Sequence, residues 1–271
     1  MDTITGFVKR YSVIIFFILA YLFSWSFWPL FNLGKVPTPI LPLGPVIAAL
    51  IVVPIVGGKA GFKAWASRIV RWRVGLRWYA VAIFLPILMV LTAVLINILL
   101  GAPVPTREQL SIWPSLWSEL LFIVLFVDLG EEPGFRGFAL PRLQSGRTAL
   151  LATLILAVGG VIWHLPLFFT GDSPWTNIPL IVAGYFMLTW LFNNTNGSVL
   201  MTMIMHTMVN IAGPSYFATF FEGADRVRYD WLLSGTYVVV ALAIIVFAGY
   251  ARLSRKPAAQ LDRVAEPAPI A

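Results

Sequence analysis

The sequence predicts an all-α, polytopic integral membrane protein with about eight transmembrane helices. Of its 271 residues, 59% are hydrophobic and only 11% are charged, whereas about a quarter of the residues in a soluble globular domain are charged. Eight apolar segments approach the roughly 20 residues that a helix needs to cross the hydrocarbon core. Lysine and arginine are concentrated in alternate connections, which is typical of a protein with a fixed orientation in the bilayer.

The apolar runs give the predicted spans directly. They are Tyr11–Leu33, Thr38–Val56, Trp78–Leu100, Pro114–Leu143, Thr148–Phe169, Asn177–Phe192, Ser198–Ala212 and Trp231–Tyr250. The first run is too long for a signal peptide and shows no small-residue cleavage site, so we expect it to be retained. The second contains four prolines, and we expect it to be kinked or partly re-entrant, with neighbouring helices satisfying the freed backbone groups.

The basic residues predict that both termini are cytoplasmic. With the N-terminus inside, 15 of the 19 lysines and arginines fall in cytoplasmic segments, as the positive-inside rule requires. We attribute the net charge of +7 to these connections beside anionic lipid, not to nucleic-acid binding. The lipid bilayer is therefore the expected partner. Residues 1–252 are predicted to form one transmembrane domain and residues 253–271 a disordered cytoplasmic tail.

The longest basic connection, Lys59–Arg77, has two interpretations. Phe62, Trp65, Ile69 and Trp72 recur at helical spacing between lysines and arginines. This pattern is typical of a helix that lies in the cytoplasmic interface with its apolar side towards the lipid. A basic loop with a few anchoring tryptophans fits equally well.

A few ionisable side chains interrupt the apolar runs. The segment GEEPGFRGFALPR, which begins at Gly130, contains Glu131, Glu132 and Arg136, and the two histidines of the protein, His164 and His206, also fall in predicted spans. Ionisable groups at membrane depth cost several kcal/mol or more and are usually functional. We therefore expect these five residues, with Asn210, to meet in one buried polar site. The sequence contains no cysteine, which excludes disulfides, thiolate metal sites and cysteine nucleophiles.

Helical spacing supports this convergence. Glu132 and Arg136 are four residues apart and can pair, as can His206 and Asn210 on a shared face. At roughly 1.5 Å per residue, Glu131 lies roughly 18 Å from its cytoplasmic helix end, His164 roughly 24 Å and His206 roughly 12 Å. Tilt and side-chain reach can close this spread. This convergence requires the fourth helix to continue past Pro133, kinked or restarted there.

The ordered motifs resemble those of a known family. E-E-x-x-x-R from residue 131, a later histidine at 164, and H-x-x-x-N from residue 206 stand on separate spans. They are similar to the three motifs of the CPBP intramembrane protease family, also called the ABI family. It includes the type II CAAX prenyl endopeptidases and bacteriocin-immunity-like proteins. The resemblance covers roughly Pro114–Ala212 and the RWRVGLRW loop before the third span. Pro133 and Gly134 replace two residues that are often apolar in the family, and Gly160 replaces a phenylalanine.

The resemblance implies hydrolysis of a peptide bond inside the membrane. Glu131 would act as the general base on a water molecule that His164 orients or polarises. His206 and Asn210 would donate hydrogen bonds to the tetrahedral oxyanion. The implied substrate is a hydrophobic peptide or membrane protein, which could carry a lipid.

Two mechanistic versions remain open, and the expected cofactor is accordingly none or Zn²⁺. In the metal version, Glu131, His164 and His206 would be three ligands with an open position for water. The tight HExxH spacing of many zinc proteases is absent. In the metal-free version, which we prefer, Glu131 activates water itself.

Simpler interpretations stand beside these roles. Glu132, held ionised by Arg136, would position neighbouring groups, but the pair could equally hold the fourth span against another helix. Asn210 taken alone is typical of interhelical hydrogen bonding. Asp128, on the same span as Glu132, is a candidate supporting residue. The chain could also bind peptides without cleaving them, as an immunity-type protein would. A transporter or channel with a carboxylate relay is the third hypothesis.

Overall fold

The computed structural model describes residues 2–256, with side chains from residue 5 onward, and all regular elements within this range are helical. The predicted all-α fold class is confirmed. Most of the predicted tail lies outside the described residues. At its beginning, Leu253 and Ser254 are buried, and the Ser254 hydroxyl donates to Asn194 Oδ1 at 2.9 Å. The domain boundary at residue 252 remains a prediction.

Eight longer helices build the described part of the chain. They are α1 (Ser12–Asn32), α2 (Gly44–Ile69), α3 (Leu76–Leu99), α4 (Arg107–Gln144), α5 (Ala149–Trp163), α6 (Trp175–Asn194), α7 (Val199–Asn210) and α8 (Gly223–Ala248). Short helices cover Asp2–Arg10 and Leu165–Thr170. A π-helical turn, Ile211–Tyr216, and a 3-10 turn, Phe217–Phe220, follow α7.

Each predicted span overlaps one of these helices. By length and composition, α1, α2, α3, α4, α6 and α8 are long and apolar enough to cross a membrane. The other two, α5 and α7, have 15 and 12 residues, and each continues into a further helical segment at its C-terminal end. These helices make the chain an integral, multi-pass membrane protein.

Several connections that we predicted to be cytoplasmic meet at one end of the bundle. The Arg71 guanidinium donates to the carbonyl of Asn196, and the Ser198 hydroxyl donates to the carbonyl of Arg71 at 2.6 Å. The Asn193 amide donates to the carbonyl of Arg252 at 2.8 Å. The α2–α3 and α6–α7 connections and the segment after α8 therefore share this end, which we call the basic end. The side of the membrane that it faces remains a prediction.

The segment Lys59–Arg77 is helical in its first part and irregular at residues 70–75. It follows a kink at Gly58, where φ is 57° and ψ is −157°. The expectation that its aromatic side chains face lipid is wrong for Trp65. This residue is 6% exposed, and its indole N–H donates to the carbonyl of Pro133 at 2.9 Å. By contrast, Trp72 is 61% exposed.

Two glycines bring α4 against the beginning of α2. A Cβ atom at Gly130 would lie 2.5 Å from the carbonyl oxygen of Pro42, and one at Gly134 would lie 2.6 Å from that of Pro45. Small residues spaced four apart allow helix backbones to approach closely in membranes. Close backbone packing thus explains Gly134, which the sequence showed only as a departure from the family pattern.

Two apolar cores fill the bundle. One consists mainly of residues from α1, α2, α4 and α5, and the other mainly of residues from α3, α6, α7 and α8. Helices α4 and α7, which carry the predicted ionisable residues, therefore belong largely to different cores. Contacts between their polar side chains join the two halves of the bundle.

We expect Gly134→Ala to destabilise the protein, because its methyl group would overlap backbone atoms that cannot rotate away. Overpacking of this kind costs about 1–3 kcal/mol, which thermal unfolding in detergent would measure. Gly235→Ala is the matched control, because no atom lies within 4 Å of a Cβ there. Equal melting temperatures for the two variants would contradict the proposed close approach.

Candidate active site

Helix α4 continues without a break through the Glu131–Arg136 segment, as the convergence of the predicted residues requires. After Ser115 its successive parts are α-helical Leu116–Phe122, π-helical Ile123–Asp128, α-helical Leu129–Gly134, π-helical Phe135–Ala139 and α-helical Leu140–Gln144. Single π turns within α-helices are frequent at functional sites. Here two of them flank the turn that carries the two glutamates.

The carboxylate of Glu132 connects α4 to α7. Its Oε1 atom accepts a hydrogen bond from Arg136 Nη1 at 2.8 Å and another from His206 Nδ1 at 3.0 Å. Glu132 is 0% exposed and Arg136 is 1% exposed. The pair predicted from the spacing of four residues is therefore formed, and it is shared with a histidine from another helix.

Asp128 contacts the same imidazole from the preceding turn of α4. Its Oδ1 atom lies 3.4 Å from His206 Nδ1, and its Oδ2 atom accepts a hydrogen bond from the Thr207 hydroxyl. Because Nδ1 of His206 faces two carboxylates, the other ring nitrogen, Nε2, is the one left for the cavity described below. The supporting residue that the sequence left as a candidate is in contact with the site.

His164 lies at the C-terminal cap of α5. Its Nδ1 atom is 2.7 Å from the carbonyl oxygen of Gly160. A carbonyl oxygen only accepts, so Nδ1 carries the proton and donates it. The Trp163 ring packs edge-on against the imidazole, with centroids 4.8 Å apart. These contacts fix the ring and leave Nε2 as the nitrogen that can bind a ligand or water.

One cavity of about 310 Å³ brings the predicted residues together. It is lined by Glu131, Arg136, His164, His206 and Asn210, among others. The sixth predicted residue, Glu132, does not line the cavity. It contacts two residues that do, Arg136 and His206, by accepting a hydrogen bond from each. The structure thus places all six in one site, while their individual roles remain predictions.

The cavity reaches the end of the bundle opposite the basic end. There it is lined by Asp172, Asn177, Pro214 and Arg226, of which Asp172 and Pro214 are exposed. Its side walls are largely apolar and come from α6, α7 and α8. Leu180, Ile181, Met187, Leu188, Val209 and Leu233 are representative.

Sequence reasoning missed three residues that contact the site. Trp65 reaches it from α2 through Pro133, Thr207 through Asp128, and Tyr185 through Arg136, whose Cζ atom lies 4.1 Å from the centre of the tyrosine ring. None belongs to a spaced pair of ionisable residues, the pattern that predicted the other residues of the site. The HTMVN segment could have indicated Thr207, because threonine directly follows His206.

The donor set does not match a preformed zinc site. Within residues that the structure describes, no three His, Cys, Asp or Glu side chains are grouped so that they could hold a metal ion. Glu131, His164 and His206 share a cavity without forming such a group. The Nδ1 bonds of the two imidazoles, to Gly160 and to Glu132, do not decide between the two versions, because a metal-ligating histidine also donates its second ring N–H.

Fold and site together define a class: a multi-pass helical membrane protein that holds carboxylates, an arginine and two imidazoles around an internal cavity. Comparison with known proteins agrees. Residues 113–212 match the family described as type II CAAX prenyl endopeptidase Rce1-like, and all six predicted residues fall in this range.

One curated relative is similar to part of the chain. The chain is 26% identical over 104 residues to CAAX prenyl protease 2 from Methanococcus maripaludis. This match covers 34% of the chain and 38% of the relative, so it spans well under half of either protein. The resemblance predicted from the three motifs is confirmed over this segment.

We expect Arg136→Met to destabilise the protein strongly, because it leaves Glu132 as a buried charge without its cation. Removing one partner of a buried ion pair costs about 3–5 kcal/mol. Adding Glu132→Gln should recover part of that loss in thermal unfolding, since the charge is then removed as well. Arg147→Met, at an exposed arginine, is the control. A double variant less stable than Arg136→Met would contradict the pairing.

Proposed function

We propose that the protein is an intramembrane endopeptidase that hydrolyses a peptide bond in a membrane-associated substrate. One observation carries the proposal. Glu131, His164, His206 and Asn210 line the same cavity, within the segment that matches the type II CAAX prenyl endopeptidase family. A base and several hydrogen-bond donors around one cavity are what peptide hydrolysis requires.

Glu131 is the proposed general base. It is 4% exposed and faces the cavity beside the paired residues. His164 presents Nε2 as an acceptor because Nδ1 donates to Gly160. In the proposed step, His164 orients a water molecule, Glu131 takes one of its protons, and the oxygen attacks the carbonyl carbon of the substrate.

His206 and Asn210 are the proposed donors to the oxyanion. His206 is held through Nδ1 by Glu132 and Asp128. In this proposal the two carboxylates keep the imidazole doubly protonated, so that Nε2–H can donate to the developing negative charge. Asn210 lies one helical turn further along and lines the same cavity. The tetrahedral intermediate collapses when Glu131 returns its proton to the amide nitrogen. The products are a carboxylic acid and an amine.

Glu132, Arg136 and Asp128 act as positioning residues in this proposal. They are nearly inaccessible to solvent and contact His206 or one another. Fixed charges of this kind need not reorganise during the reaction, which is how enzymes gain most from electrostatics.

We propose that Glu131 acts without a resident metal ion. The positions of the possible metal ligands support this proposal, because the described residues contain no cluster of three ligands around the cavity. Dialysis against a chelator should then leave peptide cleavage unchanged, and loss of cleavage that Zn²⁺ restores would contradict the metal-free version.

The apolar walls of the cavity favour a hydrophobic peptide segment. The relative is named a CAAX prenyl protease, so a peptide with a prenylated cysteine near its C-terminus is the first candidate substrate. The same peptide without the prenyl group is its natural comparison.

We expect Glu131→Ala and Asn210→Ala to lose cleavage with little change in stability. Removal of a general base costs about 10²–10⁴-fold in rate, and removal of one oxyanion donor about 10²–10³-fold in kcat. Mass spectrometry of peptides incubated with the purified protein would measure both effects.

Glu119→Gln is the matched control for this experiment. Glu119 is also a carboxylate of α4, but it is exposed and lies outside the cavity. Its rate should equal that of the parent. If Glu131→Ala cleaves as fast as the parent, Glu131 is not the base. If the parent binds the peptide but does not cleave it, the non-catalytic alternative is supported instead.

We further propose that the basic end faces the cytoplasm. Because the chain contains no cysteine, single introduced cysteines can test this directly. A membrane-impermeant maleimide should label Glu108→Cys in intact cells but label Arg147→Cys only after permeabilisation. Both positions are exposed. The reverse labelling pattern would overturn the proposed orientation.

A further inference from the structure

Helix α5 has no side chain at the position one turn before His164. A Cβ atom at Gly160 would lie 2.0 Å from the hydroxyl oxygen of Tyr185 and 2.3 Å from its Cζ atom. These distances are far shorter than any van der Waals contact, so any larger residue at 160 would displace the tyrosine. The space at Gly160 is therefore filled by a side chain from α6.

The ring of Tyr185 reaches across to α4. Its centre lies 4.1 Å from Cζ of Arg136, and it meets the Phe135 ring nearly edge-on at 6.1 Å. Tyr185 is 4% exposed and contributes to the wall of the cavity that contains Glu131 and His164. A guanidinium over an aromatic face is attracted by the ring quadrupole, most strongly when both are desolvated.

The two ends of this side chain contact two different parts of the proposed catalytic apparatus. Its hydroxyl end lies against Gly160, whose carbonyl accepts the 2.7 Å hydrogen bond from His164. Its ring lies against Arg136, which holds Glu132, and Glu132 in turn holds His206. Tyr185 therefore lies between Gly160, whose carbonyl binds His164, and Arg136, which is connected to His206 through Glu132.

We propose that Tyr185 is a positioning residue of the site. It sets the position of Arg136, and through Glu132 that of His206, relative to His164, and Gly160 provides the space that this requires. Its effect on catalysis rests on the proposed endopeptidase function, whereas the contact itself does not.

The ring, and not the hydroxyl, carries this role. The Tyr185 hydroxyl is buried and has no hydrogen-bond partner among the residues that the structure describes. Tyr185→Phe keeps the ring over Arg136 and loses no hydrogen bond, whereas Tyr185→Leu removes the aromatic face. Gly160→Ala should resemble Tyr185→Leu, because its methyl group forces the ring from its place.

The test compares Tyr185→Phe, Tyr185→Leu, Gly160→Ala and the double variant Gly160→Ala/Tyr185→Leu. Two quantities are measured for each: kcat and KM for cleavage of the prenylated peptide, and the ¹⁵N NMR signal of the Arg136 guanidinium. That signal is assigned by its loss in Arg136→Lys. Gly235→Ala, which has open space around it, controls for a glycine-to-alanine change within a membrane helix.

We expect kcat to fall roughly tenfold in Tyr185→Leu and in Gly160→Ala, with KM unchanged, and to stay near the parent value in Tyr185→Phe. The double variant should be no slower than Tyr185→Leu, since both changes remove the same contact. The ring-current shift of Arg136 should be retained in Tyr185→Phe and lost in the other three.

Several results would overturn the proposal. One is an Arg136 signal in Tyr185→Leu that has the same chemical shift as in the parent. Another is a loss of kcat in the double variant that equals the product of the losses in the two single variants. The third is a kcat of Tyr185→Phe as low as that of Tyr185→Leu. If the parent cleaves no peptide, the proposed function fails, but the Arg136 signal still decides whether Tyr185 holds this arginine. If Tyr185→Leu does not fold, Tyr185→Phe and Gly160→Ala give the same comparison.

Discussion

The carboxylate of Glu132 accepts hydrogen bonds from Arg136 on its own helix and from His206 on α7. Glu132 and Arg136 are removed from solvent in a chain whose surroundings are lipid, and His206 is 17% exposed where it lines the cavity. A charged group in that position is tolerated only when it is paired. The arrangement of α4 against α7, and hence the shape of the cavity between the two apolar cores, depends on this shared carboxylate.

The same short stretch of α4 also packs closely against the backbone at the beginning of α2. Gly130 and Gly134 lie against the backbone at Pro42 and Pro45, and Trp65 of α2 binds the carbonyl of Pro133. One face of this turn thus packs against α2, while the other presents its acidic groups towards α7. Close packing on one side is what allows the ionisable side to be held rigidly on the other.

Much of the helical architecture could be predicted from the sequence, because the requirement for long apolar runs is local. The pairing of Glu132 with Arg136 could also be predicted, since a spacing of four residues fixes it on any helix. The direction of Trp65 could not, because a periodic aromatic pattern is the same whether the helix faces lipid or protein.

Contacts between helices that are far apart in the sequence could not be predicted either. Asp128 could be noticed as an acid in an apolar run, but its contact with His206 depends on how α4 and α7 pack. Gly160 was visible only as a missing phenylalanine. The sequence does not indicate that a tyrosine from α6 fills the space beside Gly160, because this depends on the distance between α5 and α6. The three ligands considered for zinc line one cavity, but the sequence could not show whether their side chains lie close enough to hold a single ion, because that also depends on how the helices pack.

The direction in which the cavity reaches the protein surface has a consequence for substrate choice. It extends towards Asp172 and Pro214, away from the connections that contain Arg71 and Arg252. With those connections inside the cell, a polypeptide would approach Glu131 from the outer leaflet. Any candidate substrate, including the prenylated peptide proposed above, would then have to present its scissile bond to the cavity from that leaflet.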